Sequence, residues 1–427
     1  MRTVSISQPR RVGGLVRGGA FAPTLLIIVG LLICGWAILD RLYQPRLICG
    51  PMLQVADRDA VTVVWSARVQ REACESGELV VTDANGGVRR LTARGAEEGY
   101  LHARIDLPSA TQPVEYRIVQ HGFMGRRVQV GDAVRIRGPK PRGEPFRFLA
   151  FGDSGKGNEI QRRLASQMVA ARPDLMIHTG DVAYPTGHAF LYEKNVFGPY
   201  QALLPTVPLM PSPGNHDYDD EDFAHGYRSV FALPENGPPG VDAERVYWFD
   251  FGDARFVSLD SNPRSNDGVL SEADMRSVIV PWLRQVLSES GPAWRLVYFH
   301  HPPYTGCTRH KAEDRMKEIF CPVFDECDVD MVFCGHNHLY ERTKPIRAGR
   351  IVGPGEGTVY ITSGAGGADL YPEAAPPPDF MAAFNDRAHS FTRVDVSAER
   401  IKLAQIGIDG SILDTFEAAR AAGETKR

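Results

Sequence analysis

Residues 146–154 read FRFLAFGDS and residues 175–184 read LMIHTGDVAY. Each is an apolar run of strand length that stops at Gly-Asp. The construction recurs in RFVSLD at 255–260, RLVYFHH at 295–301 and DMVFCGH at 330–336. Apolar runs bounded in this way predict strands buried on both faces, as in a parallel sheet covered by helices. Helix-like stretches at 159–171 and 273–289 lie between them, so the order predicts an α/β sandwich. In such folds ligands bind beyond the carboxyl ends of the strands, where each of these runs places a polar residue.

Five short stretches carry that polarity: GDS at 152–154, GDVAY at 180–184, GNHD at 214–217, HHPPY at 300–304 and GHNH at 335–338. A strand-end aspartate alone is weak evidence, because Asp also caps helices and starts turns. Asp181 is more telling, since a carboxylate has two oxygens and can bridge two cations. Asn215 and His216 offer a carbonyl oxygen and an imidazole side by side, and His336 and His338 can both turn inward at a strand end. Mixed carboxylate and imidazole donors favour first-row transition metals over calcium. Together the stretches supply donors for two ions, which reads as a dinuclear metallohydrolase.

The five stretches resemble the metallophosphoesterase signatures, and among those the purple acid phosphatases. Many metallophosphoesterases open with Asp-x-His; here Asp153 is followed by Ser154 and Gly155. Purple acid phosphatases lack that histidine too and carry a tyrosine three residues after the bridging aspartate, where this chain has Tyr184. The resemblance implies a first metal site of Asp153, Asp181, Tyr184 and His338, and a second of Asp181, Asn215, His300 and His336. His301 is the alternative to His300. It further implies iron in the first site and zinc, iron or manganese in the second, with a metal-activated hydroxide attacking a phosphate ester. His216 would bind the phosphate or orient the nucleophile. His310, ten residues after His300, would protonate the leaving group. Arg309 stands where plant-type members usually carry another histidine and would bind substrate, with His188 and His225 as further pocket candidates. The fold implied is a metallophosphoesterase α/β sandwich over 146–412.

Ahead of it, residues 48–137 alternate in short segments such as VTVVWSA at 61–67 and VEYRIVQ at 114–120. Turn chemistry separates them, predicting a small β-sandwich of fibronectin type III kind. GPKPRGEP at 138–145 marks the boundary. Residues 1–19 form a basic segment and Ala20 to Leu39 an uncharged run of 20, enough to cross a hydrocarbon core of about 30 Å. Arg2, Arg10, Arg11 and Arg17 precede it, which predicts a single-pass anchor with the catalytic domain outside the plasma membrane. The alternative is a cleaved signal and a secreted or periplasmic product. Six cysteines beyond the span could pair in that compartment, Cys307 with Cys321 or Cys327 in particular. Residues 413–427 read as a polar tail.

With 427 residues, 43% hydrophobic and net charge −4, composition is that of a globular protein with no basic stripe, so nucleic acid is not indicated as a partner. Three functions fit: a membrane-anchored acid phosphatase acting on monoesters, a phosphodiesterase acting on nucleotides or lipid headgroups, and a non-catalytic surface protein that binds a partner through its sandwich domain. The oligomeric state is not legible.

Overall fold

The computed structural model describes residues 21–95, 97–107, 112–218, 224–262, 271–372 and 376–420. The predicted strands pair as two sheets of an α/β sandwich. One has six strands, with Phe146–Phe151, Leu175–His178 and Leu209–Pro211 parallel to one another and Ser390–Val396, Arg400–Gly407 and Ile412–Ala419 completing it antiparallel. The other has seven, including the parallel set Ala254–Ser258, Trp294–Tyr298, Met331–Cys334 and Val359–Ser363.

Side-chain alternation explains the layering. Phe256, Leu296, Tyr298, Met331, Phe333 and Ile361 face the first sheet, where the Phe148 ring meets those of Phe256 and Phe333 at 5.1 and 5.6 Å. Their neighbours Val257, Val297, Phe299, Val332 and Tyr360 face the other way, onto Leu283 and Leu287 of the helix Val280–Ser288. The helix Glu159–Ala171 falls where the sequence predicts it. Asn158 caps it by accepting from the Gln161 N–H, and Leu164 and Met168 pack onto the sandwich core.

The N-terminal region is a β-sheet module of eight antiparallel strands between Pro45 and Ile136, joined in one hydrogen-bonded network. It has its own core around Trp65, Val63 and Tyr116, yet Met52, Val55, Val64 and Tyr100 bury into the core of the α/β sandwich. Polar contacts close the seam. Leu53 N–H donates to Leu204 O at 2.8 Å, Tyr100 Oη to Ala189 O at 3.1 Å, and Gln54 Oε1 accepts from Ala232 N–H at 2.6 Å. The 138–145 segment is itself pinned, Lys140 O accepting from Gly252 N–H at 2.8 Å.

Among the described residues one apolar helix, Phe21–Leu42, precedes the module and is long and apolar enough to cross a membrane. It runs three residues past the predicted end at Leu39, while Ala20 and the four arginines lie outside the described residues. Two further differences concern the cysteines and the tail. The seven cysteines all lie in the described residues and none forms a disulfide, so neither Cys321 nor Cys327 pairs with Cys307. Residues 413–419, read as the start of a polar tail, belong to an edge strand, Ile412–Ala419, against Arg400–Gly407. Edge strands carry polar side chains on their solvent face, which is what made this one look like a tail.

Candidate metal centre

Five strands deliver the site. Asp153 follows Phe146–Phe151, Asp181 and Tyr184 follow Leu175–His178, and Asn215 follows Leu209–Pro211; His300 follows Trp294–Tyr298, while His336 and His338 follow Met331–Cys334. Three of these residues, Asp153, Asp181 and His336, hold φ at 57°, 54° and 68°. Left-handed backbone is uncommon outside glycine, though Asp and His tolerate it better than most, and it clusters at functional sites. It bends each chain sharply enough to turn the side chain inward. Glycines make room: a Cβ on Gly180 would lie 2.6 Å from His300 Nδ1, and one on Gly214 would lie 2.1 Å from the Asp181 nitrogen.

Two groups of donor atoms result, sharing Asp181. In the first, Tyr184 Oη lies 2.8 Å from Asp181 Oδ2, 3.2 Å from His338 Nε2 and 3.4 Å from Asp153 Oδ1. In the second, His300 Nε2 lies 3.0 Å from Asn215 Oδ1 and 3.3 Å from Asp181 Oδ1, and His336 Nδ1 lies 3.1 Å from Asn215 Oδ1 and 3.3 Å from His300 Nε2. Donors about 2.1 Å from one ion sit about 3.0 Å apart in an octahedron and about 3.4 Å apart in a tetrahedron. The observed spacings match that range, so the residues fit a pair of metal ions.

Tautomers agree. His300 Nδ1 pairs with Thr179 O at 2.8 Å and His338 Nδ1 with Asp369 O at 2.7 Å, contacts in which the ring N–H donates and leaves the other nitrogen's lone pair facing the site. His301 takes a different part: its Nδ1 contacts Ser261 Oγ at 2.8 Å, and its ring packs 4.4 Å from that of His336. His300 is therefore the residue that reaches Asp181 and Asn215.

Electrostatics show what the site lacks without cations. Burial and the charges of Asp181 and Asp153 push the Tyr184 phenol well above its ordinary range, so its proton stays on unless a cation displaces it. Burial opposes charge on His300, but Asp181 outweighs it and holds the imidazole up at about 9. Burial, then the charges of His300 and His310, bring His336 down to about 2, leaving it a neutral donor.

The sequence reading did not single out Asp217. This fully buried carboxylate accepts from the N–H groups of Val182 (3.0 Å), Ala183 (3.1 Å) and Gly214 (2.9 Å) and from Tyr192 Oη (3.0 Å). It ties the loop that carries Asp181 to the loop that carries Asn215. Its place inside GNHD was the available signal. Tyr371 was also missed, because no motif surrounds it; its ring stacks 4.1 Å from that of His338.

A cleft of about 620 Å³ opens beside the first group. His216 and Arg309 line it, the Arg309 guanidinium standing 4.2 Å over the Tyr371 ring. His310 is half-buried with its ring 4.4 Å from that of His336; burial and Arg309 push its pKa down. His188 is exposed, stacked on Phe190, and neither it nor His225 is among the lining residues.

The chain's similarities to known proteins follow the same division. A calcineurin-like phosphoesterase model matches residues 146–340, and a model described as iron/zinc purple acid phosphatase-like protein C matches 357–415. Two Arabidopsis thaliana proteins are similar: one named probable inactive purple acid phosphatase 24, 25% identical over 64% of this chain, and purple acid phosphatase 21, 29% identical over 56%. The chain spans about half the length of each, 50% and 53%. Among solved structures, the purple acid phosphatase PPD1 from yellow lupin (Lupinus luteus) seeds superposes with a TM-score of 0.75 at 18% identity, covering 89% of this chain and 75% of that one.

Proposed function

This chain belongs to the purple acid phosphatase-like branch of the calcineurin-like phosphoesterases, and from that premise we propose that it hydrolyses phosphate monoesters at a two-metal centre. One observation carries the reading: seven donor side chains from five strand ends converge in two groups that share Asp181. The ions supply acidified water and the positive charge that phosphoryl transfer requires. Tyr184 favours iron in the first position, and imidazole with amide oxygen suits divalent iron, zinc or manganese in the second.

The protein's own groups do the rest. Asp181 is held between the two positions by the His216 N–H, which donates to Oδ1 at 2.9 Å. The His216 ring, anchored through Nδ1 to Pro185 O at 2.8 Å, faces the cleft and takes a phosphate oxygen through Nε2. Arg309 adds charge for the ester, and His310 hands a proton to the departing alkoxide. In the same reading the N-terminal module is of fibronectin type III kind and the apolar helix is a membrane anchor with the catalytic domain outside.

Metal analysis with a visible spectrum tests the centre: about two ions per chain, at least one of them iron, with a charge-transfer band that Tyr184→Phe abolishes. A colourless protein with stoichiometric iron would overturn the Tyr184 assignment. Turnover of a monoester against its matched diester tests the reaction, and faster diester cleavage would transfer the reading to phosphodiesterase. Stoichiometric metal without turnover of either would place the chain with the relatives named inactive.

A further inference from the structure

The cleft beside the centre is more cationic than one phosphoryl group requires. Lys156 and Lys194 share one wall, where a Cβ on Gly157 would lie 3.3 Å from Lys194 Cγ, and Arg309 lies on the Tyr371 side. Asp369 is the only carboxylate among the lining residues, and it is spent on Lys156, Nζ to Oδ2 at 3.0 Å. Three cations against one carboxylate leave a net charge of +2 in the lining, apart from the two ions. Lys194 makes no ion pair among the described residues. Tyr184, His216 and His338 line the same cleft, so this wall lies within the cleft that adjoins the centre.

We propose that Lys156 and Lys194 form a subsite for a second anionic group, making the preferred substrates phosphate monoesters whose leaving group itself carries a phosphate or carboxylate. This rests on the phosphatase reading and narrows it. A neutral leaving group would leave Lys194 without a counter-charge, whereas a second anion pairs with Lys194 and shares Lys156 with the exposed Asp369, in a cleft whose volume suits a small metabolite. Exposed pairs of this kind change binding by up to about fivefold each.

The test compares fructose 6-phosphate with fructose 1,6-bisphosphate on the full metal-loaded protein. The wild type should favour the bisphosphate in kcat/KM by about tenfold beyond the statistical factor of two. Lys156→Gln with Lys194→Gln should collapse that ratio through KM, the Lys→Arg pair should restore it, and raising ionic strength should lower it. Equal kcat/KM for the two sugars in the wild type would overturn the subsite. A ratio that survives the Gln pair would likewise overturn it. Turnover of neither sugar would instead strike the phosphatase reading.

Discussion

The two sheets divide the candidate centre by element. Loops from the six-stranded sheet bring only oxygen: Asp153, Asp181, Tyr184 and Asn215. Loops from the seven-stranded sheet bring only nitrogen: His300, His336 and His338. The oxygen side is anionic and tied together by Asp217. The nitrogen side is neutral or cationic and is oriented by backbone carbonyls such as Thr179 O and Asp369 O. Neither layer alone surrounds an ion, so the centre exists only when the sandwich is closed. Metal binding and packing of the two sheets are therefore linked, and metal should stabilise the fold by mass action.

The largest effect should come from the residue that belongs to both groups. Asp181→Asn removes the charge that draws both ions, and loss of both together with about a thousandfold in rate is expected; full retention of two ions by elemental analysis would mean that the oxygen side does not bridge. On the nitrogen side, His300→Ala should empty the second position and leave the first filled, with a loss of affinity beyond the roughly hundredfold that an outer partner gives. His301→Ala should keep both ions, and the reverse pattern would exchange the roles of these neighbours.

Asp217→Asn probes the tie behind the oxygen layer. It should cost about 10–100-fold in metal affinity at both positions with the fold intact; loss at one position alone would show that the two loops are held independently. The smallest effect concerns His178, an imidazole behind the oxygen donors whose Nε2 meets Ser154 Oγ at 2.8 Å. Burial brings it down to about 3, with the Asp181 charge opposing. The fold keeps it neutral while the unfolded chain protonates it near 6.5, so its contribution is complete above that pH and is lost as pH falls toward 3. Between pH 7 and pH 5 the loss is about 2 kcal/mol. Denaturant melts of chelated protein should show a shallower acid slope in His178→Asn, and identical slopes would remove His178 from the account.

Much of this was legible because strand ends announce themselves. An apolar run stopping at Gly-Asp or Gly-His states both its buried strand and its polar tip, which is why Asp153, Asp181, His336 and His338 stood out as candidates, their grouping into two sites coming from the family resemblance. The choice of His300 over His301 rested on a family pattern; in the structure both rings lie near His336, but His300 Nε2 reaches Asp181 and Asn215 while His301 Nδ1 is engaged by Ser261 Oγ. Asp217 escaped because its work is hydrogen bonding to backbone, which leaves no mark in residue type. Lys156, Lys194 and Tyr371 escaped because they come from two loops and the short helix Glu193–Phe197, which only the closed fold brings together. The strand Ile412–Ala419 was misread because one exposed face made it look unstructured.

The seam between the β-sheet module and the sandwich has a practical meaning. Residues 138–145 look like a place to cut, being rich in proline, glycine and charge. Yet Met52, Val55, Val64 and Tyr100 are core residues of the neighbouring unit, and Gln54 satisfies backbone groups on two of its segments. A fragment beginning at Phe146 would open a greasy scar with unpaired amides at its rim. The β-sheet module is thus less an appendage than a wall of the α/β sandwich, and removing it would strip that wall away.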